Sequence, residues 1–106
     1  MVEMAPAVAE RADELERLCR LHSVQRLDLF GSGATGGYRP DQSDLDFLVE
    51  FKPTDIPGAR ADAYFGLLEA LEELFGHPVD LVVESAIDNP YFRESIEESR
   101  TPVYSA

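Results

Sequence analysis

In the segment SDLDFLVEF, residues 43–51, a large apolar side chain occupies every second position. Successive side chains of an extended strand point to opposite faces, so this spacing separates two sets of residues. One face carries the apolar side chains of Leu45, Phe47, Val49 and Phe51. The other face carries Asp44, Asp46, Leu48 and Glu50. The pattern predicts a β-strand that buries one face and presents a largely acidic one.

Helical and extended patterns follow one another along the rest of the 106-residue chain. Amphipathic spacing predicts helices, and short alternating runs bounded by Gly or Pro predict strands. In chain order the prediction is a helix over 5–21, strands at 25–30 and 43–51, a helix over 59–75, a strand at 78–84, a helix over 90–99 and a short edge strand at 102–104. A short helix around 32–36 is compatible with the sequence. No linker or repeat interrupts the order, so we expect one domain over residues 1–106, of the α/β (α+β) class, with a small mixed β-sheet flanked by helices.

The composition limits the classes of partner. A formal net charge of -12 repels nucleic-acid backbones and anionic membranes, so we expect no general nucleic-acid binding and no membrane association. No apolar run reaches the length of a membrane span, and the N-terminus lacks the pattern of a secretory signal. Cys19 is the one cysteine, so no internal disulfide forms. These features together predict a cytoplasmic protein.

Asp44 and Asp46 lie two residues apart in the predicted strand and therefore point to the same side. In the strand PVDLVVE, alternation turns Asp80 outward as well. Three aspartates on one surface could hold two magnesium ions, because hard cations prefer carboxylate oxygens. A solvated acidic strand face is the alternative, and for two aspartates alone it is the more frequent outcome. We interpret Glu50 and Glu84, on the same face, as solvated charges, with a supporting contact to a metal ligand as the alternative for either.

The segment GSGATGGYRPDQ, between the first two predicted strands, is rich in glycine. Gly31 directly follows a strand, and Ser32 follows it. A glycine backbone lets phosphate oxygens approach closely, and backbone N–H groups with a serine hydroxyl bind anions. The segment thus predicts a phosphate cradle ahead of the acidic strand, with an ordinary turn as the alternative. Arg39 is either a further phosphate contact or a solvated loop charge.

The run LFGSGATGGYRPDQSDLDFLVEF followed by PVDLVVE resembles the minimal nucleotidyltransferase (MNT) family, within the DNA polymerase β-like nucleotidyltransferase superfamily. The resemblance implies a fold like the polymerase β palm. It implies that Gly31 and Ser32 bind phosphate, and that Asp44, Asp46 and Asp80 are the metal-binding and catalytic carboxylates. The chain departs from the family pattern in two ways. Gly33 and Thr35 replace basic residues that are common there, and the spacer before Asp44 is one residue longer than usual.

The resemblance also implies a reaction and a partner. MNT proteins are antitoxins of HEPN–MNT toxin–antitoxin pairs, and they are similar to enzymes that transfer AMP from ATP to a tyrosine hydroxyl of the HEPN toxin. ATP as substrate and two Mg²⁺ ions are implied with it. A catalytically weak or inactive module that neutralises the toxin by binding alone is the alternative, motivated by Gly33, Thr35 and the longer spacer. Nucleotidyl transfer to a small molecule such as an aminoglycoside is a third hypothesis. A homodimer or a hetero-oligomer is compatible with the sequence.

Overall fold

The computed structural model describes residues 6–30, 45–76 and 78–106. Within these ranges the helices are α1 (Pro6–Ala9), α2 (Ala12–Leu21), α3 (Ala59–Phe75) and α4 (Pro90–Ser99). The strands are β1 (Val24–Phe30), β2 (Leu45–Phe51), β3 (Val79–Val83) and β4 (Thr101–Ser105). A 3₁₀ turn at Glu84–Ala86 follows β3. The predicted order of helices and strands is confirmed for these ranges, and the helix suggested around 32–36 lies outside them.

The described strands form one mixed sheet in the order β3-β2-β1-β4. β1 pairs antiparallel with both β2 and β4, whereas β2 and β3 run parallel. The parallel pair requires a crossover connection, and α3 provides it between the end of β2 and the start of β3. The predicted α/β class with a small mixed sheet and flanking helices is therefore confirmed.

The main core lies between one face of the sheet and helices α2 and α3. The strand side chains in it include Leu27, Leu29, Leu45, Phe47, Val49, Val79 and Leu81. From the helices, Leu15 and Cys19 of α2 and Leu67 and Leu71 of α3 are buried against them. Burial raises the pKa of the Cys19 thiol to about 12, so the side chain is a neutral apolar filler rather than a thiolate.

Helix α4 covers part of the opposite face of the sheet. Ile96 of α4 packs with Phe30 and Leu48 in a second, smaller cluster, and Val82 and Ile87 border it. Leu48 was expected on a largely acidic face in contact with solvent, but only 2% of it is exposed. The reason is tertiary, because α4 lies over that point of β2 and removes an apolar side chain from water.

The predicted helix over 5–21 is divided in the structure. Arg11 departs from helical dihedral angles, with φ -107° and ψ 17°, and α2 begins after it. The Arg11 N–H donates to the Val8 carbonyl at 3.1 Å, which closes the short helix α1. The predicted bounds of α3 are confirmed. Gly76, with φ 73°, ends that helix in the left-handed region that favours glycine, and its N–H donates to the Glu72 carbonyl.

Side chains of α3 hold the backbone of β3, the strand at one border of the sheet. The Tyr64 hydroxyl donates a 2.7 Å hydrogen bond to the Leu81 carbonyl oxygen. Glu72 Oε2 accepts a 3.2 Å hydrogen bond from the Val79 N–H. These contacts satisfy backbone groups that an edge strand would otherwise present to another chain. No helix in the described ranges is both long enough and apolar enough to span a membrane.

Candidate active site

Asp46 of β2 and Asp80 of β3 are register partners on adjacent parallel strands. Partner positions of neighbouring strands are about 4.8 Å apart and point to the same face of the sheet. Asp46 is half-buried and Asp80 is exposed. The expectation that Asp80 faces the same side as Asp46 is thus confirmed, although the residues are 34 positions apart in the sequence.

The two aspartates belong to a row that crosses three strands. Phe30, the last residue of β1, is the register partner of Asp46 on its other side. The row is therefore Phe30, Asp46 and Asp80, and all three side chains lie on the face that α4 partly covers. The next row inward consists of Asp28, Leu48 and Val82. Since Ile96 of α4 packs on Leu48, the helix covers this second row and leaves the carboxylates of the first row at its border.

Gly31, Ser32, Arg39 and Asp44 all lie outside the described ranges. Within those ranges no group of three His, Cys, Asp or Glu side chains is arranged to hold a metal ion. Asp46 and Asp80 supply two carboxylates on one surface, and such oxygens are the donors that Mg²⁺ prefers. The pair fits part of a magnesium site whose third predicted ligand, Asp44, is outside the described residues.

A buried charged cluster lies next to the row of Phe30, Asp46 and Asp80, which we call the aspartate row. It begins at Asp28, in the neighbouring row on the same face of the sheet. Asp28 of β1 is fully buried, and the Arg100 guanidinium, at the end of α4, donates to it through Nε. Arg100 also donates to Glu84 and, at 2.6 Å, to Glu97. Burial alone would lower the pKa of Arg100, but the hydrogen bonds to these three carboxylates raise it above its ordinary value. Arg100 is therefore a permanent cation that joins β1, the turn after β3 and α4.

Two glutamates that were interpreted as solvated charges make specific contacts in the structure. Glu84 was expected to be a solvated charge, but it accepts a hydrogen bond from Arg100. Glu50 accepts a 3.2 Å hydrogen bond from the Ser85 N–H, which anchors the turn after β3 to β2. The buried ion pair of Asp28 was not predicted from the sequence. The position of Asp28 in QRLDLF marked it as facing away from Leu27 and Leu29, but nothing in the strand pattern showed that Arg100 would cover it.

Comparison with known proteins identifies the family. The family model described as the nucleotidyltransferase domain matches residues 14–103. The chain belongs to the nucleotidyltransferase family. It is 40% identical over 77 residues to a Methanocaldococcus jannaschii protein named "putative protein adenylyltransferase", across 73% of this chain and 74% of that protein. The predicted family and enzyme class are confirmed, and nucleotidyltransferases act on a nucleotide substrate with divalent metal in general.

Solved structures support the same assignment of the fold. A structure described as a "putative minimal nucleotidyltransferase" aligns to this nucleotidyltransferase with a TM-score of 0.73 and 34% identity, over 90% of this chain and 91% of that one. A complex of a tri-AMPylated Shewanella oneidensis HEPN toxin with an MNT antitoxin aligns with a TM-score of 0.61 and 20% identity, over 93% and 73% of the two chains. At that identity the second likeness shows the fold alone.

Proposed function

We propose that this nucleotidyltransferase is a magnesium-dependent protein adenylyltransferase, which transfers AMP from ATP to a tyrosine hydroxyl of a HEPN toxin and so acts as its antitoxin. The observation that carries the proposal is the register of Asp46 with Asp80 on adjacent parallel strands. Two carboxylates so placed offer the oxygen donors that Mg²⁺ prefers on one surface, which suits a site for metal-bound phosphates.

In this reaction the predicted site residues would bind either the triphosphate or the metal ions. Gly31 and Ser32 would bind the triphosphate, with Arg39 as a further contact. Asp44 and Asp46 would be the principal metal ligands, and Asp80 would share one ion. Bound magnesium supplies positive charge that offsets the phosphates and the carboxylates. Positioning and charge stabilisation of this kind supply most of the catalysis in phosphoryl-type transfer.

The acceptor tyrosine oxygen forms a bond to the α-phosphorus of ATP, and the bond from that phosphorus to the α,β-bridging oxygen breaks. Pyrophosphate leaves with the electron pair of the broken bond. Asp80, which is exposed at the border of the sheet, would orient the hydroxyl and accept its proton.

Two findings support a protein acceptor, and the second of them favours the HEPN class. The relative from Methanocaldococcus jannaschii carries the name of a protein adenylyltransferase. The Shewanella oneidensis complex with the same fold holds a HEPN toxin that is itself AMPylated. A net charge of -12 suits a basic partner surface, and the reaction would take place in the cytoplasm.

The deciding experiment is intact-mass spectrometry of a HEPN-family protein from the same genome, after incubation with this chain, ATP and Mg²⁺. We expect mass increments of one or more AMP units with the wild type. Asp46→Asn should abolish them, whereas Glu73→Gln, which changes an exposed carboxylate on α3, should leave them unchanged. Increments at the wild-type rate with Asp46→Asn would disprove the mechanism.

The alternative of a module that acts by binding alone is separated by the same experiment. A stable complex of the two proteins with no mass gain would favour it, and the absence of basic residues at Gly33 and Thr35 motivates it. AMP transfer to a small hydroxylated compound such as an aminoglycoside, without transfer to the HEPN protein, would instead support the third hypothesis.

A further inference from the structure

An exposed aromatic ring lies beside the aspartate row. The rings of Phe30 and Phe92 form an edge-to-face pair, with centroids 6.3 Å apart and planes at 74°. Phe30 is the register partner of Asp46 and has 9% of its surface exposed. Phe92 lies in the first turn of α4 and has 41% exposed. The pair therefore connects the candidate carboxylates to an aromatic surface that reaches solvent.

The direction of α4 explains why Phe92 is at this place. Phe92, near the start of α4, contacts Phe30, the last residue of β1. Arg100, just after the end of α4, contacts Asp28, two residues earlier in β1. The first turn of α4 is thus at the end of the sheet where the aspartates are. Asn89 fixes this turn, because its Oδ1 accepts hydrogen bonds from the N–H groups of Tyr91, at 2.8 Å, and Phe92, at 3.4 Å.

We propose that Phe92 is the surface on which the purine base of the bound nucleotide stacks. The inference rests on the proposed function and names the base-binding residue of the same site. The reacting phosphates must lie near Asp46 and Asp80, and the base is covalently tied to them. The row from Phe30 to Asp80 spans two strand spacings, about 9.6 Å, which is on the scale of a nucleoside monophosphate.

The geometry suits a flat ligand. In an edge-to-face pair the two rings are not stacked on each other. The exposed part of the Phe92 ring can therefore contact another planar group. Aromatic side chains bind bases through such stacking with little dependence on hydrogen bonds. Phe65 is also an exposed aromatic residue, at 63%, but it belongs to α3, which packs on the opposite face of the sheet.

The test compares two probes, ATP and inorganic tripolyphosphate, each titrated calorimetrically in Mg²⁺ against the full chain. Phe92→Leu, which keeps an apolar side chain and removes the ring, should weaken ATP binding by about 5- to 150-fold, the range that loss of one stacked base implies. Tripolyphosphate, which has no base, should bind the wild type and Phe92→Leu equally. Phe92→Tyr should retain ATP affinity, and Phe65→Leu is the matched control on the other face.

Each outcome decides one question. Equal ATP affinity of the wild type and Phe92→Leu would overturn the stacking proposal while leaving the proposed function intact. Parallel loss of ATP and tripolyphosphate binding in Phe92→Leu would also overturn it, since the defect would then not depend on the base. If the wild type bound neither ATP nor tripolyphosphate, the result would count against the proposed function itself. Unchanged ATP binding with weakened association of the HEPN protein would reassign Phe92 to contact with the acceptor.

Discussion

Arg100 and Asp28 form an ion pair that joins the end of α4 to β1, an inner strand of the sheet. The side chain of Asp28 is fully buried, and only 10% of that of Arg100 is exposed. The two residues are 72 positions apart in the sequence, so the pair links the first of the described strands to the end of the last described helix.

Arg100→Met should reduce the free energy of unfolding by about 3 kcal/mol, because the buried Asp28 carboxylate then keeps only Arg26, a half-exposed cation 3.1 Å away. The matched control is Arg20→Met, which removes an exposed pair with Glu16 and should cost roughly 0.5 kcal/mol or less. Urea denaturation of both variants measures the difference. Adding Asp28→Leu to Arg100→Met should recover part of the loss, and equal costs for Arg20→Met and Arg100→Met would contradict the assignment.

Tyr64→Phe should destabilise the protein by about 1–2 kcal/mol, since the Leu81 carbonyl loses its hydrogen-bond donor in a partly buried place. The loss should be concentrated at β3, so amide hydrogen exchange should become faster in Val79–Val83 than in β1. Tyr91→Phe is the control, because Tyr91 is 81% exposed and its hydroxyl should contribute little. If Tyr64→Phe exchanges like the wild type throughout β3, the bond does not stabilise that strand.

Asp80→Asn should remove most of the stabilisation that Mg²⁺ gives the wild type, because it deletes one carboxylate of the pair with Asp46. At a Mg²⁺ concentration ten times the dissociation constant, the wild type should gain about 1.4 kcal/mol. Without Mg²⁺, Asp80→Asn should be at least as stable as the wild type, since repulsion between the carboxylates is relieved. Thermal unfolding with and without Mg²⁺ tests both statements, with Glu73→Gln as control, and equal Mg²⁺ shifts in all three proteins would refute the metal role.

The contact of His22 with Gly66 gives a fourth prediction. A methyl group added at position 66 would lie 2.9 Å from His22 Cε1, closer than side-chain contacts normally allow. Alanine in place of glycine within a helix is otherwise favourable by about 1 kcal/mol. Gly66→Ala should therefore stabilise the His22→Ala variant more than it stabilises the wild type. Denaturation of the four proteins of this cycle measures the coupling, and strictly additive effects would show that the imidazole moves aside without cost.

Local pattern was sufficient for much of the fold. The bounds of α3 followed from its apolar spacing and from Gly76, which no residue with a Cβ replaces easily at φ 73°. The proline that opens α4 and the alternation in β2 and β3 were similarly informative. The division of the predicted first helix at Arg11 was missed, because its apolar spacing continues through the break.

For the candidate site, too, some features were predictable from the sequence and others were not. Alternation alone placed Asp46 and Asp80 on the outward faces of their strands, and the order of motifs named the nucleotidyltransferase family. Adjacent strands were expected, but the sequence did not show their register, that Arg100 covers Asp28, or that Phe92 reaches Phe30.

What the sequence by itself determined is the set of faces: which side chains of each strand point to the core and which carry the acidic residues. That information is local, because it depends only on the backbone period of about two residues in a strand. Only the tertiary structure decided which faces meet. The packing of α4 on one part of the sheet buried Leu48 and Asp28 and left Asp80 exposed, although strand alternation places all three on the same outer face. The reason is physical, since burial and charge pairing depend on contacts between segments far apart in the chain.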